Sequence, residues 1–307
     1  MVLARRMSVA VALVALLSLA TATRLPAETS GVQMSPAPAA TPIASAAASA
    51  DVAAIAPSAR EPALELQYDV YYSLLRLVTI ESRTRLEPDV YSLESHMETV
   101  GLIGAIFPWT YHSEVHGRID GAKLHPDVFN SHSEIRDRVQ QVSLRYDKAG
   151  PTIDELTPFD NSVLGQEYTR DEVPADLIAG TIDPLTEIAS MSQQLARGEG
   201  CSGTRSVFDG LRRYDVVYED LGESKLESSS YDRYAGTARQ CRSHVKPIAG
   251  FWKPKEEKDE KADAITSITA WLMAPLPGLE PVPVRMSIEG ARGTLSIHLT
   301  KVSSATS

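Results

Sequence analysis

Apolar and polar side chains alternate with a period of two along most of this chain, and that pattern constrains the fold more than any other feature. In the first run, Leu64, Leu66 and Tyr68 alternate with Glu65 and Gln67. Successive side chains of a strand point to opposite faces, so this period predicts strands that are buried on one side. No long helical pattern recurs between the runs, so the strands are expected to form an antiparallel sheet.

The alternation predicts a series of strands separated by Gly-, Pro- or Asp-containing turns. One long strand is expected from 64 to 86, with a turn at 87–89 and a return strand at 91–98. The further strands are predicted at 111–119, 126–134, 139–147, 206–219, 224–232, 237–246, 265–273, 282–290 and 294–302. The last two form a hairpin that turns between Gly290 and Gly293.

One amphipathic helix is predicted at about 183–197. Asp183 is placed to cap its N-terminus and Pro184 suits the first helical position. Its apolar stripe is predicted to consist of Leu185, Ile188, Met191 or Ser192, and Leu195. A single amphipathic helix among strands must lay its stripe on an apolar surface, and the concave face of a curved sheet provides one.

The amino terminus is predicted to lie outside the folded domain. Residues 1–22 read as a cleavable secretory signal peptide, in which two arginines precede an apolar run that ends in small residues; cleavage as late as residue 27 is the alternative. Residues 28–61 are rich in Ala, Pro and Ser and are predicted to form a disordered tether. Residues 62–305 then form a single β-rich domain without a transmembrane segment, and we expect it in the periplasm.

The chain has two cysteines, Cys201 and Cys241. In an exported protein, an even number of cysteines is most simply explained by a disulfide. Closing a loop of this length stabilises the fold by about 4 kcal/mol in the chain-entropy model. The alternative is a pair of free, buried thiols.

Charged side chains concentrate within 206–219, which we interpret as one strand. A partly buried arginine keeps its charge and needs a carboxylate or carbonyl partner. Arg213 has Asp215 two residues on, on its own face, whereas Arg212 is expected to find its partner elsewhere, across the sheet. Asp209, Arg212, Arg213 and Asp215 are therefore predicted to form internal ion pairs. The alternative is a site for the phosphate or carboxylate of a substrate.

The segment 100–109 is apolar on all sides. Contiguous exposed apolar patches are uncommon on soluble monomers, so a short buried helix is favoured over an exposed apolar lip. The predicted hydrophobic contact residues of this segment are Leu102, Ile103, Ile106, Phe107 and Trp109.

No catalytic residue, metal site or cofactor is predicted. His112 and His116 are four apart, but a zinc protease requires Glu directly after the first His, on a helix. His125 and His132 lie nearby, and a histidine-rich metal site is the alternative to scattered solvent-facing side chains. The chain has no P-loop, no G-x-S-x-G elbow and no C-x-x-C pair. The formal net charge of −10 argues against a nucleic-acid partner.

Several segments, in order from about 64 to 300, resemble an uncharacterised bacterial family, the domain of unknown function 3108. They are YDVYYSLLRL, GTIDPLTEI, VFDGLRRYDVVYED, YAGTARQC, IAGF, and PVRMSIEG followed by GTLSIHLT. The charge run at 253–263 and the Ala/Pro-rich tether depart from the family pattern. The resemblance implies a periplasmic, β-rich protein without an assigned reaction. By looser analogy with periplasmic lipoprotein carriers, we expect the curved sheet to form an open or spiral β-barrel.

Two functions follow from these expectations. The first is a non-catalytic protein of the cell envelope that binds a hydrophobic ligand or a protein partner, with a lipid or an envelope protein as the expected partner. The alternative is a periplasmic hydrolase of envelope glycan or peptide that uses carboxylates or the His112–His132 group.

Overall fold

The computed structural model of the protein describes residues 63–136, 138–157, 168–254, 265–290 and 293–305. The predicted signal peptide and tether lie outside these residues, and so does most of the charge run at 253–263. Among the described residues, no helix combines the length and the apolar composition needed to cross a bilayer.

The described residues form fifteen strands and three helices. The strands are β1 (Ala63–Tyr72), β2 (Leu75–Leu86), β3 (Val90–Thr99), β4 (Trp109–Asp120), β5 (Lys123–Ile135), β6 (Arg138–Tyr146), β7 (Pro151–Thr157), β8 (Tyr168–Arg170), β9 (Gly203–Phe208), β10 (Arg213–Leu226), β11 (Gly236–Ala249), β12 (Trp252–Pro254), β13 (Ile265–Met273), β14 (Val282–Gly290) and β15 (Gly293–Ala305). The helices are α1 (Gly101–Ile106), α2 (Ala175–Ile178) and α3 (Pro184–Ala196).

Thirteen of these strands form one antiparallel sheet, in the order β7-β6-β5-β4-β3-β2-β1-β15-β14-β13-β11-β10-β9. β1 pairs with β15, so the two ends of the domain meet in the middle of the sheet. β8 and β12 form a separate two-stranded sheet. The large sheet is not closed, because β7 and β9 remain its two edges. The fold is therefore mainly β with an open, curved antiparallel sheet, as predicted.

The predicted strand from 64 to 86 is two strands. β1 and β2 are joined by a tight turn in which Ser73 has a φ of 56° and Leu74 is 79% exposed. The prediction missed this turn because its only turn-favouring residue is Ser73, and serine marks a turn more weakly than Gly, Pro, Asn or Asp. Another predicted strand, 224–232, is also wrong, since β10 ends at Leu226 and a loop follows.

The stretch 206–219, interpreted above as one strand, is a hairpin. β9 ends at Phe208 and β10 begins at Arg213, and the Asp209 N–H donates to the Arg212 carbonyl across the turn. The Asp209 carboxylate accepts hydrogen bonds from the N–H groups of Leu211 and Arg212, as an Asx-turn requires. Gly210, with a φ of 91°, occupies a backbone conformation that favours glycine.

The sheet curls so that this hairpin turn, which lies near the β9 edge, reaches the strands near the β7 edge. The two ends of the strand order are here called the two arms of the sheet. A Cβ added to Gly210 would overlap the side chain of Val142 on β6, although β6 and β9 lie near opposite edges of the sheet. Val142 is the cross-strand neighbour of Ser131, the last of four serines that oppose one another on β2 to β5. The other three are Ser82, Ser95 and Ser113. Serine is small, so this row takes up little space on the concave face.

Helix α3 packs on the concave face, between the two arms of the sheet. It contacts β4 and β5 on one side and β9 on the other. Asp183 caps it as predicted, accepting hydrogen bonds from the N–H groups of Leu185 and Thr186. The predicted apolar stripe is wrong at Ile188, which is 44% exposed, whereas the polar Glu187 is buried.

The chain before α3 closes part of the gap between the two edges. Ile182 forms a parallel bridge with Val207 on β9, and the Ile182 N–H donates to the Ser206 carbonyl. Earlier, the chain passes close to the β6–β7 turn, since a Cβ added to Gly150 would lie 3.1 Å from the Ala179 Cα. The segment 179–182 therefore spans from one arm of the sheet to the other.

Cys201 and Cys241 lie at disulfide distance, as predicted, with an Sγ–Sγ distance of 2.01 Å and a Cα–Cα distance of 6.0 Å. β9 and β11 flank β10, so the chain before β9 must cross β10 to reach Cys241. It does so over Asp220, whose carboxylate accepts a hydrogen bond from the Cys201 N–H. Met191 of α3 packs in the same cluster, so the disulfide also supports the helix.

We predict that Gly210→Ala destabilises the protein more than Gly222→Ala, because the two substitutions differ in the space around the added methyl group. Both glycines have a positive φ, 91° and 85°, but no atom lies near the position of a Cβ at Gly222. Gly210→Ala should cost about 1–3 kcal/mol more in the free energy of unfolding, measured by urea denaturation. Adding Val142→Ala should remove most of this excess. Equal costs for the two single variants would refute the close approach of the turn to β6.

Candidate functional site

The first predicted ion pair is local and buried. The Arg212 guanidinium lies 2.7 Å from the Asp209 carboxylate, and the two residues are 8% and 5% exposed. The prediction that Arg212 finds its partner across the sheet is wrong, because the hairpin turn folds Asp209 back onto it. Arg212 also lies over the ring of Phe251, at 5.9 Å from the centroid. The pair therefore anchors the inserted turn in the interior.

The second pair, Arg213 with Asp215, joins β9 to β10. Their charged groups lie 2.7 Å apart, and the Ser206 hydroxyl accepts from Arg213 and donates to Asp215. Arg213 also donates to the carbonyl of Leu177, which ties α2 to the hairpin. Both guanidinium groups are thus held by carboxylates of their own hairpin, which is the arrangement expected of structural ion pairs.

Helix α3 carries two buried carboxyl groups into the interior. Burial raises the pKa of Asp183 to about 6, although hydrogen bonds from Thr186 and Leu185 favour its charged form. Burial likewise raises the pKa of Glu187 to about 7, and the hydrogen bond from the Tyr218 hydroxyl, at 2.7 Å, lowers it in part. Tyr91 is hydrogen-bonded to Thr186 at 2.7 Å. Both carboxyls are therefore attached to the sheet through neutral hydroxyl groups.

The apolar segment 100–109 is divided between the core and the surface. Phe107 and Trp109 are buried, and the Trp109 indole donates to the Ser133 hydroxyl. The favoured burial of the whole segment is wrong for α1, in which Leu102 is 70% exposed and Ile106 is 53% exposed. Ile103 is partly buried against the core. The segment is thus an exposed apolar lip that is held in place by two buried aromatic rings.

The structure contains a further cluster of buried polar side chains, around His298, that the sequence did not predict. The His298 Nδ1 lies 2.5 Å from a carboxylate oxygen of Asp232, and both residues are less than 10% exposed. Arg285 lies 3.5 Å from the other oxygen, and the rings of Tyr71 and Tyr231 flank the imidazole. Asp232 belongs to the β10–β11 loop and the other residues mostly to the sheet, so the group holds that loop against the strands.

The His298–Asp232 pair resembles the orienting half of a catalytic triad. Within the described part of the chain, no serine, threonine or cysteine side chain is hydrogen-bonded to His298. No signal in the sequence marked this group, because β15 meets β1 and β14 only in the folded sheet, and the β10–β11 loop adds Asp232 from a third part of the chain.

The outer face of the sheet carries a groove of about 420 Å³. Its lining includes Arg83, which bridges Glu65 at 2.8 Å and Glu94 at 3.7 Å. His96 and His112 lie in the same groove, with their ring centroids 6.4 Å apart. His116, four residues from His112 on the same strand, is not among the lining residues. The groove thus has a polar lining of mixed charge.

We predict that the protein is more stable at pH 5 than at pH 8, and that Glu187→Gln removes much of this difference. A raised pKa means that folded Glu187 keeps its proton when the unfolded chain has lost it. Its stabilising effect is therefore complete below about pH 4.5 and is lost as the pH rises to 7. Glutamine can still accept the Tyr218 hydrogen bond but cannot titrate.

Urea denaturation at the two pH values measures this effect. The difference in unfolding free energy should shrink by about 2 kcal/mol in the Glu187→Gln variant. Glu199→Gln is the matched control near the end of α3, because the exposed Glu199 has a pKa lowered by Arg197 and titrates below this range. An unchanged pH dependence in Glu187→Gln would contradict the assignment.

Comparison with known proteins identifies a family but no activity. No curated protein matches the chain. Among solved structures, the chain is similar to the crystal structure of a beta-barrel-like protein of domain of unknown function DUF1849 from Brucella abortus. That similarity has 9% sequence identity and a TM-score of 0.45, and it covers 81% of this chain and 100% of the other. The family model described as protein of unknown function (DUF3108) matches residues 67–300. The chain therefore belongs to the DUF3108 family, as its sequence motifs indicated.

Proposed function

We propose that this protein is a non-catalytic, periplasmic protein of the cell envelope that binds lipid through an apolar rim of its open barrel. The observation that carries the proposal is a group of four exposed aliphatic side chains at one end of the sheet, here called the aliphatic rim. Its members are Leu74 at 79%, Leu75 at 48%, Leu102 at 70% and Ile106 at 53% exposure.

Sheet topology brings the members of the aliphatic rim to the same end. In an antiparallel meander, alternate connections lie at the same end of the strands, so the β1–β2 turn and the β3–β4 connection are neighbours at one end of the sheet. The Val100 N–H, directly before α1, donates to the carbonyl of Leu77 on β2, which places α1 beside the first residues of that strand. The aliphatic side chains thus come from two adjacent connections.

The chemistry of the rim favours a lipid leaflet over a shaped protein partner. Burying one large aliphatic side chain is worth about 1.5–3 kcal/mol, so four such side chains supply enough energy for reversible membrane association. They project from a turn and a short helix and do not line a groove. Arg136, which lies over the Phe107 ring at 5.8 Å, places a cation near them, where lipid phosphates would lie, and Arg76, half exposed but paired with Asp69 at 3.2 Å, is a second basic group there.

Other features support export and the absence of catalysis. The predicted signal peptide and the Cys201–Cys241 pair both suit an oxidising compartment outside the cytoplasm. The charged side chains predicted as a candidate anion site are paired with each other inside the fold. Lipid binding at the aliphatic rim does not require an unpaired charge at this hairpin.

We predict that the chain without its signal peptide co-floats with phospholipid vesicles, and that Leu102→Ser combined with Ile106→Ser reduces the bound fraction. Loss of two inserted side chains should lower the partition coefficient by more than about tenfold. Leu276→Ser is the control, because Leu276 is 47% exposed in the β13–β14 connection at the opposite end of the sheet. It should bind like the wild type.

Vesicles of phosphatidylcholine and vesicles containing phosphatidylglycerol separate apolar insertion from charge attraction, and insertion should give binding to both. Two results would overturn the proposal: no binding of the wild-type chain to either vesicle, or equal binding of the rim variant and the wild type. In either case, an envelope protein becomes the better candidate partner for the rim.

A further inference from the structure

Three histidines form one row across the outer face of the sheet. His96 on β3 is the direct cross-strand neighbour of His112 on β4, and His112 is the direct neighbour of His132 on β5. Glu81 on β2 continues the row beside His96. Three adjacent strands therefore place imidazole groups side by side on the solvent-facing surface.

The register brings together histidines that are far apart in the sequence and separates those that are close. Directly opposed residues of an antiparallel pair have Cβ atoms about 4.5–5.5 Å apart. His112 and His116, by contrast, lie on one strand at about 13 Å from each other, given a rise of about 3.3 Å per residue. The pair suggested by the sequence is thus too far apart to bind one ion, whereas the cross-strand pair His96–His112 is not.

The two imidazole groups are free to bind a ligand. Their ring centroids lie 6.4 Å apart, and within the described residues neither ring donates or accepts a hydrogen bond. His112 is exposed and His96 is partly exposed. A metal ion that bonds to two imidazole nitrogens at about 2.0–2.1 Å requires a similar spacing of the rings.

The charges around the pair favour a cation. On neighbouring positions of the same face, carboxylates outnumber the two cations, Arg83 and Lys301, and Arg83 is already engaged by Glu65 and Glu94. The ionisable groups that face the pair from the surrounding strands are Glu65, Glu81, Arg83, Glu94, Glu98, Glu114, His132, Glu134 and Lys301.

We propose that His96 and His112 bind a divalent transition-metal ion, such as Zn²⁺ or Cu²⁺, in the outer groove. Imidazole is a preferred ligand of both ions, and the groove leaves room for water or a carboxylate to complete the coordination. In the described residues, no three His, Cys, Asp or Glu side chains converge on one point as they stand. The pair needs only rotation about its side-chain bonds, because the strand register already fixes the backbone. This site lies on strands β3 and β4 and does not depend on lipid binding at the rim.

Isothermal titration of the tag-free, metal-stripped chain with ZnCl₂ and with CuCl₂ tests the proposal. We expect one ion per chain, and we expect His96→Ala and His112→Ala each to weaken binding by more than about tenfold. His116→Ala is the matched control, because His116 lies on the same face of β4 but its cross-strand neighbours are Ser92 and Val128. It should change the affinity less than about twofold.

Two further measurements make the result specific. Electron paramagnetic resonance of the Cu²⁺ complex should show two nitrogen ligands in the wild type and one in each of the two variants. Melting temperatures close to the wild-type value would show that the variants are folded, which is expected for substitutions on the outer face. Absence of stoichiometric binding, or equal losses in His116→Ala and His112→Ala, would overturn the proposal.

Discussion

Continuous antiparallel pairing of thirteen strands is the constraint on which the rest of this structure depends. A sheet of this width twists and curls, and it leaves one face that must be covered. The chain covers that face with a single excursion between β7 and β10, which supplies α3 and then the hairpin turn at 209–212. The disulfide joins the start of this hairpin to β11, so the covering elements are held to the sheet from both sides.

The interior of the curled sheet holds several polar groups, and three of them have partners close by, whereas the buried Tyr146 hydroxyl has no hydrogen-bond partner among the described residues. Asp209 binds Arg212 within one turn, Asp183 caps its own helix, and Glu187 reaches Tyr218 on β10. Buried charges and carboxyls contribute little net stability, because desolvation offsets most of their attraction. Their geometric demands are strict, however, and they define where the turn and the helix lie against the sheet. That role explains them without a substrate.

Register and topology create both of the surfaces for which we propose a role. The aliphatic rim exists because two successive connections of a meander emerge at the same end, and the histidine row exists because three strands pair without a shift at His96, His112 and His132. The apolar segment and several of the histidines stand out in the sequence, but their local pattern favours other roles. Apolarity on all sides predicts burial for Leu102 and Ile106, and spacing along the strand groups His112 with His116.

The sequence by itself determined the fold class, most strands, the helix with its Asp183 cap and the cysteine pairing. The first three depend on local periodicity and local capping, and the pairing follows because the chain has only two cysteines. Two turns were missed: the turn at Ser73, where serine is a weak marker, and the hairpin turn at Asp209, where the Asp209-Gly210 pair is a hairpin signal that the alternation of its flanks concealed. Only the tertiary structure decided which side chains of α3 are buried, that His298 meets Asp232, and that His96 stands beside His112. These contacts join residues from distant parts of the chain, and strand order and register, which no local pattern encodes, bring them together.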